Sequence, residues 1–246
     1  SGGVAQNVKA TKKILESKFV SSIFVPPGPS DESLPIGAAY CHFAHQKIQR
    51  KKITNMSNPY VGAIFEKKDL AFIKKNKIFA IKKTKNSEVA KILSEGNPVA
   101  RFSLNKNEFG PRALGNRSIL ADPRKQDIIN LINKNIKVRD FWMPFAPSVI
   151  EEDANKIMHI TKKHYNPFMT ISCDVKKNYI EKIPAAVHPF DKTCRPQIVN
   201  KKINPEYYDL IKEFKKLSNV GVLLNTSFNI HGEPIVFSPR DAVKSF

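Results

Sequence analysis

The sequence predicts a mixed α/β chain, and three stretches predict it. Val222-Leu223-Leu224 is a short apolar run that turns abruptly polar at Asn225, as a buried strand does where it leaves the core. From Ser87 onward, Val89, Ile92 and Leu93 fall on one helical face, Gly96 supplies a C-cap, and Val99 to Ser103 follows as a strand. Asp122-Pro123-Arg124 reads as a helix start ahead of Ile128, Ile129, Leu131 and Ile132.

In chain order, Ala10 to Lys18 is predicted helical and Ser22 to Val25 a strand. Gln46 to Ser57 is polar and basic without periodicity, which suits a connection. Glu66 to Lys75 is a candidate helix and Ile78 to Lys82 a strand. Lys137 and Arg139 precede Phe141-Trp142-Met143-Pro144-Phe145-Ala146-Pro147, an aromatic and proline wall that plain core packing also explains. His188, Asp191, Thr193, Arg195 and Gln197 form a polar block at a loop-to-strand junction, and Pro239 with Asp241 begins a last helix.

With 246 residues and 41% hydrophobic content, the chain can bury a substantial core. No run approaches the roughly 18 uninterrupted apolar residues of a membrane span, and no leader is visible. Cys41, Cys173 and Cys194 lack zinc or disulfide spacing, which fits a reduced cytoplasm. The net charge of +19 comes from 41 basic against 22 acidic residues. Much of it is diffuse lysine, in pairs such as Lys67-Lys68 and Lys162-Lys163, so a solvated face is expected and nucleic acid is not the expected partner. The positive field would still draw anionic substrates.

Chemistry concentrates between Phe109 and Ser118. Gly110 and Gly115 permit positive φ or close backbone approach, and Pro111 stiffens the turn. Arg112 and Arg117 offer guanidinium forks, while Asn116 and Ser118 add shorter polar reach. The set suits an anion. It also suits a Gly/Pro turn whose arginines are solvated or tie down neighbouring carbonyls. Asn225, Thr226, Ser227, Asn229 and Glu233 are pocket-lining candidates, because open α/β sheets bind ligands beyond strand carboxyl ends; an ordinary strand-to-turn transition would look the same. His188 suits binding better than a base role, Arg195 is the stronger candidate for phosphate, and His42 and His45 read as surface helix residues.

Six ordered blocks resemble the O-carbamoyltransferase family that acts on hydroxyls of antibiotics, nodulation factors and related sugars. They are SGGVAQN at 1 to 7, PPGPSDESLPIGAA at 26 to 39, EFGPRALGNRSILADPR at 108 to 124, NKNIKVRDFWMPFAPSVIEED at 133 to 153, IPAAVHPFDKTCRPQIV at 183 to 199 and LLNTSFNIHGEPIVFSPRDAV at 223 to 243. The resemblance implies a YrdC-like twisted open sheet with helices over residues 51–246. Residues 1–50 would be the tail and linker of an actin/sugar-kinase-like (Kae1-like) metal domain, in a chain truncated at both ends. The implied reaction takes ATP, accompanied by Mg²⁺, and carbamoyl phosphate to carbamoyladenylate and pyrophosphate, with the phosphate of carbamoyl phosphate leaving. The metal domain would then pass the carbamoyl group to a hydroxyl of a sugar or other small-molecule acceptor.

By the same resemblance, Arg112, Arg117, Lys137 and Arg139 are the implied catalytic cations, offsetting charge where several anionic oxygens meet. Gly110, Asn116, Ser118, His188, Arg195, Asn225, Ser227, Asn229 and Glu233 are the implied nucleotide or carbamoyl-phosphate contacts. Asp31 falls where the family places an aspartate on an iron-type metal, whose histidine partners would lie in the rest of the metal domain. Met143 departs from the arginine that usually precedes Pro-Phe-Ala-Pro, and Pro189-Phe190 and Cys194 depart within the His188 block. Two other classes stay open. One is an RNA-binding or tRNA-modifying relative, favoured by charge but without a stacking motif; the other is a nucleotide-binding module without turnover.

Overall fold

The computed structural model describes residues 2–46, 56–75, 80–137 and 143–246. The main sheet contains β1 (Val99–Phe102), β2 (Arg117–Ala121), β3 (Ala146–Ile150), β7 (Gln197–Val199) and β8 (Val222–Ser227), in the order β1-β2-β8-β3-β7. β3 and β7 run parallel and the other neighbours antiparallel. A smaller antiparallel sheet joins β4 (Met158–His159), β5 (Cys173–Val175) and β6 (Thr193–Cys194), with Cys173 directly opposite Cys194.

The helices are α1 (Val8–Glu16), α2 (Leu34–His45), α3 (Ala71–Lys75), α4 (Asn86–Ser94), α5 (Asp127–Ile132), α6 (Glu151–Ile157), α7 (Lys177–Ile180), α8 (Pro205–Ser218) and α9 (Pro239–Ser245). Successive residues of β8 face opposite sides of the sheet. Leu223 joins Ala90 and Leu93 of α4 and Tyr207, Ile211 and Phe214 of α8. Val222 and Leu224 join Ile128, Ile132, Ile157 and Cys173 beneath the other face. A strand covered on both sides reads as an uninterrupted apolar run, which is what 222–224 is. Burying a side chain such as Leu223 contributes about 1.5–3 kcal/mol.

Local signals set the helix ends. Asn204 accepts a hydrogen bond from Tyr207 N at 3.2 Å, Pro205 occupies the first turn of α8, and Asn219 closes it in the left-handed region at φ 59°. Gly96, at φ +100°, follows α4. Asn7 caps α1 through Lys9 N and Ala10 N. α1 is braced against later chain: Thr11 Oγ1 donates to Thr170 O at 2.8 Å, Lys12 pairs with Asp174 at 2.5 Å, and Leu15 is buried.

Several predicted elements shift. α1 begins two residues before Ala10. Ser22–Val25 forms no ladder; Val25 is buried, but Pro26 and Pro27 follow and remove two backbone donors. Glu66–Lys75 divides into a 3₁₀ turn at Lys67–Leu70 and α3. Ala80–Lys82 is not a strand, and Ile78 and Phe79 lie outside the described residues. The helix placed at Asp122 starts instead at Asp127, because buried Asp122 accepts from Arg124 N at 2.9 Å and from its guanidinium at 2.7 Å. His42 and His45 sit exposed on α2. Most of the Gln46–Ser57 connection, residues 47–55, lies outside the described residues.

Candidate functional site

The 108–118 loop precedes β2 and folds around its own carboxylate. Glu108 Oε1 accepts from Leu114 N at 2.8 Å, Asn116 N at 2.8 Å and Arg117 N at 3.1 Å, while Gly115 N donates to Ser118 Oγ at 2.9 Å. Both glycines take positive φ, +96° at Gly110 and +111° at Gly115. A Cβ at Gly110 would collide with the Pro27 carbonyl, and one at Gly115 with the Tyr207 ring. The turn from Pro26 to Ser33, which holds Asp31, thus rests on the first limb of the loop.

The two arginines of the loop part company. Arg117 is 1% exposed; it donates to Ser103 O at 2.6 Å, to Asn116 O at 2.8 Å and to Asn107, and stacks 3.7 Å from the Phe102 ring centroid. It ties down carbonyls, the second of the two roles its sequence context allowed, and burial pulls its guanidinium down to about 10. Arg112 is half-buried and makes no hydrogen bond or ion pair among the described residues. Burial lowers its pKa, with the charge of Glu32 acting the other way.

Asn116 is consumed by packing: Oδ1 accepts from Arg101 at 2.9 Å and Asn204 at 3.0 Å, and its amide donates to Lys106 O at 2.8 Å. Under the loop lies a buried polar network. Asn225 donates to Ala113 O at 3.1 Å, Ser148 Oγ at 3.1 Å and Gln197 Oε1 at 3.2 Å, and Gln197 donates to Leu114 O at 2.7 Å. Tyr60 adds a 2.6 Å bond to Leu114 O. Asn225 Oδ1 has no partner among the described residues.

A second cluster forms at the end of β8. Lys137, on a π-helical turn after α5, donates to Ser227 Oγ at 3.1 Å, Asn229 O at 2.9 Å and Asn229 Oδ1 at 2.5 Å. Asn229 in turn donates to Glu233 O at 2.6 Å, so Glu233 enters through its main chain. The clusters adjoin, since Ser227 pairs with Ser118 across β2 and β8, and Phe228 N donates to Arg117 O at 3.0 Å. Arg139 and Trp142 lie outside the described residues, while Met143 is exposed.

His188 belongs to a third group. Its Nδ1 lies 3.3 Å from Asp191, whose carboxylate also contacts Lys9 of α1 and accepts from Thr193 Oγ1 at 2.8 Å. Burial, then the charges of Lys9 and Lys192, lowers the His188 pKa. Beside it is a cleft of about 400 Å³ lined by Ile129, Pro144, Val187 and Phe190. Arg195, just beyond, is half-buried. Asp31 is exposed, and no three His, Cys, Asp or Glu side chains gather as a metal site among the described residues. One carboxylate alone does not fit an iron-type metal. Among the described residues no helix is long and apolar enough to cross a membrane.

Sequence reasoning missed Glu108, Ser148, Tyr60 and Lys9. Glu108 stood inside the quoted motif, but an acidic residue in an anion-binding pattern gives no sign that it is the anion.

Residues 90–246 match the family described as Carbamoyltransferase C-terminus. The uncharacterized protein MJ1051 of Methanocaldococcus jannaschii is 40% identical over 100% of this chain and 47% of its own length. The nodulation protein NolNO of Sinorhizobium fredii is 37% identical over 100% of this chain and 37% of its own, and nodulation protein NolO of Bradyrhizobium diazoefficiens 34% over 100% and 45%. The chain therefore spans less than half the length of these relatives. Full-length HypF, in its phosphate- and nucleotide-bound form, aligns with a TM-score of 0.45 and 16% identity, over 68% of this chain and 20% of that one.

Proposed function

Since the chain belongs to the carbamoyltransferase family, as its C-terminal region, we propose that it activates carbamoyl phosphate with ATP for transfer to a hydroxyl acceptor. The observation that carries this reading is the Lys137 cluster set against the 108–118 loop. Lys137, Ser227 and Asn229 meet beside a turn that leaves the Arg112 guanidinium without a protein partner among the described residues.

Water would cleave carbamoyl phosphate to carbamate and phosphate. A carbamate oxygen would then attack the α-phosphorus of ATP, forming carbamoyladenylate as the bond to pyrophosphate breaks. Both steps crowd anionic oxygens, so buried or half-buried cations supply the stabilisation. Arg112 meets an incoming phosphate directly. Lys137 has its three donors engaged, so a phosphate oxygen replaces the Ser227 hydroxyl on Nζ. Asn229 and Ser227 orient the carbamoyl amide or ribose. Arg117 acts at one remove, holding the loop. Mg²⁺ arrives with the triphosphate, and the acceptor is a sugar or other small hydroxyl compound bound outside this cluster.

The test is pyrophosphate release by the 246-residue chain with ATP and Mg²⁺, with and without carbamoyl phosphate. Release that depends on carbamoyl phosphate is expected. ATP binding without release would instead make the chain a nucleotide-binding module, and no ATP binding by the folded chain would sink the proposal.

A further inference from the structure

The Gly-rich loop has the shape of an anion cradle, and it is already full. Of its inward N–H groups, those of Leu114, Asn116 and Arg117 converge on one oxygen, Glu108 Oε1, at 2.8, 2.8 and 3.1 Å. The carboxylate is held in place from behind: Glu108 forms a β-bridge with Tyr60, and Phe109 N donates to Pro59 O at 2.8 Å. Its charge also acts on the buried Arg117 and the half-buried Arg101, each of which it favours in the charged form. Backbone N–H groups that converge in a concavity are a site that a phosphate oxygen would otherwise take. Here a protein oxygen occupies it at ordinary hydrogen-bond lengths.

We propose that Glu108 is the positioning residue of this site: an internal anion that permanently fills the N–H cradle, sets the Gly110–Gly115 turn, and leaves Arg112 as the group by which the loop meets a substrate phosphate. This builds on the activating role proposed above. It assigns the loop a division of labour, with the backbone donors spent on structure and the Arg112 side chain on ligand. Substrate phosphate therefore does not enter the cradle.

Two variants test it in the full chain. Glu108→Ala empties the cradle, so formate, a single free carboxylate, should bind there. Its melting temperature should fall by roughly 5 °C, recover part of that loss in formate, and respond where the unaltered chain does not. Carbamoyl-phosphate-dependent pyrophosphate release should drop by at least about tenfold and be partly restored by formate. Glu108→Gln keeps an acceptor oxygen and should retain release within about threefold. A folded Glu108→Ala chain with undiminished release, or one that formate leaves unchanged, would overturn the proposal. So would a folded Glu108→Gln chain as inactive as the alanine variant, since the carboxylate would then act on substrate itself. If the alanine variant does not fold, the glutamine arm still decides. If the unaltered chain releases no pyrophosphate, the activating role fails separately, and the formate-dependent melting shift still reports on the cradle.

Discussion

Lys137 and Asn229, 92 residues apart, are joined twice, from Nζ to the Asn229 side-chain oxygen at 2.5 Å and to its main-chain oxygen at 2.9 Å. This pairing fastens the turn after α5 to the end of β8 and buries a cation where β2 begins and β8 finishes. Replacing Lys137 with Met keeps the stem and removes the charge. ATP affinity should weaken by roughly 1.5–3 kcal/mol. Calorimetric titration checks this, and unchanged affinity would remove Lys137 from the binding site.

The two loop arginines should fail differently. Arg112→Ala deletes a group without a protein partner among the described residues, so stability should change by less than about 0.5 kcal/mol, while phosphate-ligand affinity drops by roughly 1.5–3 kcal/mol. Arg117→Ala leaves Ser103 O, Asn116 O and the Asn107 side-chain oxygen without their donor, and unfolding free energy should fall by about 1–3 kcal/mol. Denaturant melts beside ATP titrations separate the two effects; identical profiles would contradict the assignment.

Gly110→Ala and Gly115→Ala should each destabilise the chain by at least about 1–3 kcal/mol, because a side chain at positive φ is strained and both sites are closed by neighbours. Gly232 has φ +82° but open space around its Cβ direction, so Gly232→Ala should cost less than either. Urea midpoints rank the three.

Acid should act through Asp153. Burial pushes its carboxyl up, but the ammonium groups of Lys215, at 2.6 Å, and Lys156, at 3.0 Å, outweigh burial and hold it below the ordinary carboxylate value. A depressed folded value means that Asp153 stabilises above its unfolded pKa near 3.8 and that this contribution disappears as pH falls through the lower, folded value. Asp153→Asn should therefore lower stability at pH 7 and flatten its decline below about pH 4. An equally steep acid limb in the variant would refute this.

Thiol reactivity should distinguish the cysteines. Cys41 is exposed, whereas burial pushes the Cys173 thiol up to about 12 and raises Cys194 well above its ordinary value. A disulfide reagent should consume one thiol in the native chain and three after denaturation.

Legibility in the sequence followed the range of the interaction. α4, Gly96, β1 and the start of β8 rest on apolar periodicity and on caps a few residues away, and they appear where those signals put them. α8 carries the same signals, with Asn204 and Pro205 at its start, yet was not among the predicted elements. β4 to β6 span two or three residues each, too few to show a period. Asp122 misleads because an aspartate before proline serves a helix cap and a local arginine pair equally well. Lys137, Ser227 and Asn229 were each visible as polar candidates, but their meeting depends on a fold that no spacing encodes. Glu108 was hidden by its sign, since a motif rich in cations directs attention to an outside anion.

The order of strands also has a consequence for synthesis. β8 lies between β2 and β3, so the two halves of the main sheet are joined through a strand that is translated after the other four. While the ribosome is still adding residues before 222, the β1–β2 pair and the β3–β7 pair have no common edge, and Lys137 has not met Ser227 or Asn229. A nascent chain thus assembles the Lys137 cluster only after β8 has emerged, and until then the two unjoined sheet edges are the surfaces a holding chaperone would cover.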